Sequence, residues 1–163
     1  MTMGKAMFLP RTIRLDNSDL QVFPQAAAAG EWAISGVFAF SDADGAVLTG
    51  KRRQAFANGF LGTASFGWST FACVTPISPA EFEDVVAAIA DHFVERYGAP
   101  DRAAAMPQAR IEAEFASGLC DHAEGTLLAV SRELTDDGIV ERFRTVRAPS
   151  PDLHTRIWEI VED

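Results

Sequence analysis

Ser78-Pro79-Ala80-Glu81 opens the segment of the chain whose structure is best fixed by its own residues. A Ser at the N-cap can take the backbone N–H of the residue three places on. A Glu at that third position returns the bond, and Pro suits the first helical turn, where no N–H is needed. Phe82, Val85, Val86, Ile89, Phe93 and Tyr97 then fall on one stripe, and Gly98 followed by Pro100 stops the helix. A helix apolar along one side must be laid against another apolar surface. The sequence on either side supplies strands for that purpose.

Upstream, Arg11–Asp16 alternates polar and apolar residues, and Leu20–Pro24 reads as a second short strand after the Asn17–Asp19 turn cluster. Glu31–Phe40 (EWAISGVFAF) alternates again, with Trp32, Ile34, Gly36, Phe38 and Phe40 on one face. A helix is expected within Ala46–Asn58, capped at Asn58-Gly59. Ser65–Ile77 reads as one long strand. Downstream of the capped helix, another helix is expected between Asp101 and Leu119, where Ile111, Phe115 and Leu119 recur every four residues and Pro107 starts or kinks the main segment. Thr126–Leu134 and Ile139–Arg147 flank Thr135-Asp136-Asp137-Gly138, a hairpin turn signal. The tail Asp152–Val161 reads as a short helix or an edge strand.

Strands bunched in hairpins, with helices between them and no regular β/α alternation, predict an α+β fold. The expected form is a mostly antiparallel sheet of about six strands with two or three helices packed on one face. The length of 163 residues fits one domain over 1–163, with 1–10 and 148–163 as peripheral ends.

The net charge of −9 argues against general nucleic-acid binding, which needs a positive surface. No apolar run is long and unbroken enough for a membrane span or a signal peptide, so a cytoplasmic location is expected. Two cysteines, Cys73 and Cys120, do not make a disulfide framework, and reduced thiols are expected.

Gly45–Arg53 (GAVLTGKRR) raises the question of a phosphate-binding loop, because Gly45, Gly50 and Lys51 match that pattern. Arg52, however, stands where a magnesium-ligating Ser or Thr is needed, and Val47 and Leu48 resist close backbone approach. No alternating β/α series follows, and no later strand ends in a convincing magnesium-binding Asp. If the helix begins at Thr49 or Gly50, then Lys51, Arg52 and Arg53 occupy its first turn, against the helix dipole. An earlier start or acidic neighbours would account for them; an anion bound there is the sharper explanation.

Cys120-Asp121-His122 places a thiol beside an imidazole, the ingredients of a nucleophile or metal site. Its spacing is not that of a zinc site, and a helix end accounts for all three residues. Asp42-Ala43-Asp44-Gly45 resembles the start of a calcium loop but lacks the later ligands. Arg142 and Arg144 share a face of the final hairpin with Val140 and Val146. They suit cross-strand pairing with carboxylates or recognition of an anion. Gly67 beside Trp68 marks a bulge or a close approach, and Trp32 and Trp68 are read as core or as a pocket wall.

Taken together, RTIRLD, GEWAISGVFAF, GKRRQAFANGFLGTASFGWST, ERYGAPD, EFASGLCDH and ERFRTV resemble a small family of uncharacterised bacterial proteins of similar length. The resemblance spans Arg11 to Val146. It implies a single-domain cytoplasmic bacterial protein and carries over no activity and no catalytic residue.

The first functional reading is a non-catalytic accessory or binding protein, as a homodimer or with a protein partner, and with no cofactor. The alternative is a small enzyme or binding domain for an anionic metabolite. It would use the Lys51/Arg52/Arg53 helix start with Trp68, Arg142 and Arg144, and, in a thiol or metal version, Cys120 and His122. A shared pocket containing arginines without carboxylate partners would favour the alternative.

Overall fold

The computed structural model describes residues 7–14, 18–40, 50–147 and 159–161. The fold is α+β, and its strands divide between two antiparallel sheets. The larger contains β1 (Phe8–Ile13), β5 (Phe71–Pro76), β6 (Leu127–Thr135), β7 (Gly138–Arg147) and β8 (Glu159–Val161), in that order across the sheet. The smaller contains β2 (Ala33–Ile34), β3 (Phe60–Gly62) and β4 (Trp68–Ser69). The helices are α1 (Asp19–Val22), α2 (Gly50–Asn58), α3 (Pro79–Arg96) and α4 (Arg102–Gly118). Among the described residues no helix is long and apolar enough to cross a membrane.

The capping box forms as the sequence predicts. Ser78 Oγ accepts from Glu81 N at 3.1 Å and Glu81 Oε1 accepts from Ser78 N at 3.1 Å. Phe82, Val85, Val86, Ile89 and Phe93 are buried, whereas Tyr97, at the C-cap, is exposed. The final hairpin also forms, with Gly138 at φ +116° closing the turn. Phe8–Pro10, expected at the periphery, belong to β1, where Leu9 is fully buried.

Four local expectations are corrected. Leu20–Pro24 is not a strand. The buried Asp19 carboxylate accepts from Thr70 Oγ1 at 2.6 Å and Thr70 N at 3.2 Å, and the chain around it coils into α1. Glu31–Phe40 is extended only through β2. Gly36, at φ +78°, turns it into a 3-10 segment, Val37–Phe40. Ser65–Ile77 is not one strand: β4 pairs with β3, and the chain changes sheets at Thr70 to become β5. In α4 the buried residues are Ala105, Ala109, Ala113 and Ala116, while Ile111 and Phe115 face solvent. The small face lets α4 lie closely against Val86, Ile89 and Ala90 of α3 in one cluster.

Ala72 and Val74 of β5 and Leu128 and Val130 of β6 share a buried cluster with Ala33, Phe60 and Cys120. Leu127, Ala129 and Val146 form a separate cluster with Ile13, Phe71 and Cys73 beside them. Strand alternation sends these two sets to opposite faces of the sheet. Cys73 and Cys120 therefore lie on opposite sides of β5, and both are free thiols.

Gly67 permits a close crossing. A Cβ there would stand 2.6 Å from Ala26 C and 2.7 Å from Ala27 N, both backbone atoms. The crossing is bonded at the next residue, where Trp68 N donates to Gln25 O and Trp68 O accepts from Ala27 N, each at 2.8 Å. Gly67→Ala is expected to cost about 1–3 kcal/mol by overpacking against backbone that cannot yield. Urea denaturation would check this, and an unchanged midpoint would contradict it.

Candidate functional site

The crossing at Gly67 brings the Gln25 loop, the Ser65–Phe66 turn and Trp68 to one side of a cleft of about 380 Å³. The 3-10 segment supplies Phe40, α2 supplies Arg52, and the last turns of α3 supply His92 and Arg96, with Tyr97 following. This volume is within the range of small-molecule sites.

Two features of the cleft follow from which residues meet there. The first is charge. Arg52 and Arg96 line it, and no Asp or Glu among the described residues does. Arg52 lies on the Phe40 ring, 5.2 Å from its centroid. Neither arginine has a hydrogen-bond or ion-pair partner among the described residues. The ion pairs there belong instead to Arg102–Asp91, Arg110–Glu83, Arg132–Glu141 and Arg142–Glu133. The second is the aromatic lining. Phe40 meets Trp68 at 5.2 Å between centroids, and Phe66 stacks on His92 at 3.8 Å with the planes 4° apart. Burial, with the nearby Arg96 cation, holds the His92 pKa below the usual histidine range against the opposing effect of Glu95. At neutral pH His92 is therefore an uncharged flat ring.

Phe66 is the one non-glycine residue at positive φ among those described, at φ 56°. Such a conformation costs of order 1–3 kcal/mol and persists only where its surroundings over-determine it. Here the surroundings are specific. Glu31, 8% exposed, accepts from Ala64 N, Ser65 N and Ser65 Oγ at 2.7–3.0 Å. Ser65 Oγ accepts from Gly67 N at 3.0 Å, and Gln25 Nε2 donates to Ser65 O at 3.0 Å.

The sequence-predicted site residues distribute as follows. α2 begins at Gly50, so Lys51, Arg52 and Arg53 do occupy its first turn, but only Arg52 enters the cleft. All three are exposed, and because adjacent positions around a helix face different ways, Lys51 and Arg53 do not share the cleft side with Arg52. Trp68 lines the cleft with its edge and is otherwise core; Trp32 does not line it and lies under Arg11 at 4.6 Å. Arg142 pairs with Glu133 at 3.5 Å on the exposed hairpin. Arg144 sits on the same hairpin, half-buried, and its Nε has no hydrogen-bond partner. Neither lines the cleft. Cys120 is buried, and burial with the nearby Cys73 pushes its thiol up to about 12, so it supplies no thiolate at neutral pH. His122 does not line the cleft, and the described residues contain no group of three metal-ligating side chains.

Gly45–Thr49 and Asp42–Gly45 lie outside the described residues. The chain entering that segment is the 3-10 turn Val37–Phe40, not the strand a phosphate-binding loop requires, and the sheets around it are antiparallel. Neither His92, Arg96 nor Phe66 belongs to a site motif in the sequence. His92 and Arg96 are four apart and so share a helix face, which is the signal available for them.

A second hollow of about 450 Å³ lies beside Met7, Pro79 and Phe82. Its Arg110 is held by Glu83 through a double hydrogen bond of 2.6 and 2.8 Å, with Glu114 also in the lining. Its arginine is thus paired within the protein, and Glu114 leaves the described lining with an excess of negative charge.

A family model described as a family of unknown function (DUF6505) matches residues 7–158. The chain belongs to that family. Neither the curated proteins nor the solved structures give a match.

Proposed function

We propose that this member of the family is a non-catalytic binding protein whose ligand is a small anion held in the cleft between Arg52 and Arg96. The carrying observation is the charge of the described lining: two arginines and, among the described residues, no carboxylate, in a chain of net charge −9. In so acidic a protein, arginines with no hydrogen-bond or ion-pair partner among the described residues at a concave aromatic site suit a carboxylate or phosphate, to which a guanidinium presents paired donors. Arg96 also sits in the last turn of α3, where a cation is favoured, but that position does not account for the missing carboxylates.

Binding is favoured over turnover by what surrounds the anion. The Ser65 hydroxyl is committed to Glu31 and Gly67, Cys120 is elsewhere, and His92 has no carboxylate among the described lining residues to orient it. The bacterial, cytoplasmic setting expected from the sequence is part of the same proposal. The accessory-protein reading rests on a different observation, the outward-facing Ile111 and Phe115 on α4, 54% and 47% exposed.

The test is calorimetric titration with inorganic phosphate and with acetate. Binding of at least one is expected, weakening as salt is raised. Arg52→Ala and Arg96→Ala should each reduce affinity by about tenfold to a hundredfold, the range for one hydrogen-bonded charge. Arg53→Ala, outside the cleft, should leave it unchanged. Equal losses in all three variants would mean that general surface charge, not the cleft, attracts the anion.

A further inference from the structure

We infer that the ligand is a planar aromatic or heteroaromatic anion, its charged group between Arg52 and Arg96 and its ring against the Phe66–His92 pair. This rests on the cleft being an anion site, as proposed above, and adds the chemistry of the rest of the ligand. The aromatic character of the lining is only part of the case, because rings also fill cores. The further observation is Phe66. A phenylalanine at φ 56° is a poor choice for a turn that asks only for a turn; glycine or asparagine would occupy that conformation with less strain. The strained residue is half-buried: it packs at the margin of the main core cluster and lies flat on His92 where both line the cleft. Strain of this kind gathers at ligand clamps.

His92 fits the same role. Uncharged at neutral pH, it extends the flat surface begun by Phe66 without adding a third cation, while Tyr97, 5.5 Å from it, stands at the exposed rim. The arrangement separates two tasks. The guanidinia select for charge, and the rings select for a flat partner, which stacks offset or edge-on with aromatic faces.

The experiment pairs probes that differ only in the ring. Benzoate is compared with cyclohexanecarboxylate, and adenosine monophosphate with ribose 5-phosphate, so that the carboxylate and phosphate sources are separated. Inorganic phosphate and acetate report the anion site alone. In at least one pair the ring-bearing member is expected to bind about tenfold more tightly. Phe66→Gly is the deciding variant. Glycine adopts φ 56° freely, so the turn should keep its shape while losing the ring. The preference within the pair should then fall to about threefold or less, with the affinity for inorganic phosphate or acetate unchanged.

A merely structural Phe66 would alter stability and leave the preference intact, which overturns the inference. Equal affinity within both pairs overturns it too, and leaves the anion reading standing. No binding of any probe, simple anions included, removes both.

Discussion

Arg132→Ala will lower the stability of the fold by about 3–5 kcal/mol, the range for removing one partner of a buried ion pair. Arg132 projects from β6 with no exposed side-chain surface. Its Nε donates to Glu141 Oε2 at 2.7 Å. Its Nη1 donates to Phe56 O and Gly59 O, both 2.9 Å, at the end of α2. Its Nη2 donates to Ser35 O at 2.6 Å, just beyond β2. A single guanidinium thus joins the final hairpin, the small sheet and the C-terminus of a helix, whose free carbonyls favour a cation. Burial pulls its pKa down while Glu141 opposes the change, and arginine stays charged through such shifts. Without it Glu141, 15% exposed, keeps only the Ser35 hydroxyl as a described partner, and the carbonyls are left dry.

Urea denaturation of Arg132→Ala, Glu141→Ala and the double variant will separate these effects. The double variant should cost less than the sum, since each single change strands the other charge. Arg132→Lys should recover little, because one ammonium cannot reach three directions in a plane. A loss under about 1 kcal/mol for Arg132→Ala would mean that water replaces the guanidinium, and that α2 is held by the burial of Ala55 and Phe56 and by the Asn58 Nδ2 bond to Val130 O. The same variant bears on the cleft. α2 carries Arg52 and buries only those two side chains, so loosening its end should also weaken anion binding.

The legible parts of this fold are those whose signals lie close together in the chain. The α3 cap needs four consecutive residues, and the β6–β7 turn needs Asp-Gly between two alternating runs. The illegible parts depend on distant residues. EWAISGVFAF alternates like a strand, but it turns at Gly36, at φ +78°, where a Cβ would stand 2.5 and 3.1 Å from Leu61 and Trp68, a close approach set by residues far along the chain. The apolar stripe of α4 favours Ile111 and Phe115 by size, yet α3 lies close enough to accept only the alanine side. Arg52 and Trp68 were legible as separate oddities. Arg96, His92 and Phe66 join them only because the chain crosses itself at Gly67, and no local pattern announces that crossing. The hairpin arginines misled differently: Arg132, fully buried, serves structure, and Arg142 pairs across the strands.

Glu31→Gln is expected to lose nearly as much stability as Glu31→Ala, about 3 kcal/mol, a result that isostery alone would not predict. Both carboxylate oxygens of Glu31 face donors. Oε1 accepts from Ala64 N and Ser65 N, and Oε2 from Ala28 N at 2.7 Å and from Ser65 Oγ. An amide places its own N–H groups against backbone N–H groups on one side or the other, so the glutamine strands at least one of them. Space gives no relief, since Gly62 already approaches within 2.3 Å of Oε1 at its missing Cβ. Burial alone raises the pKa of this carboxyl; the hydrogen bonds from Ser65, Ala28 and Ala64 together outweigh it and hold the value below the usual carboxylate range. The sign of the pH dependence follows. A depressed folded pKa stabilises the fold fully above the unfolded value, near 4.3, and that stability is lost as pH falls through the lower folded value. The gap between wild type and Glu31→Gln should thus be constant at neutral pH and close under acid, where protonated Glu31 faces the same donor conflict as the amide. Denaturation midpoints from about pH 7 to pH 3 would trace this, and a gap that persists unchanged at the acid end would show that the charge is not what holds the turn. Because the turn carries Ser65 and Phe66, the variant should also release Phe66 from its strained conformation, and any ring preference of the cleft should go with it.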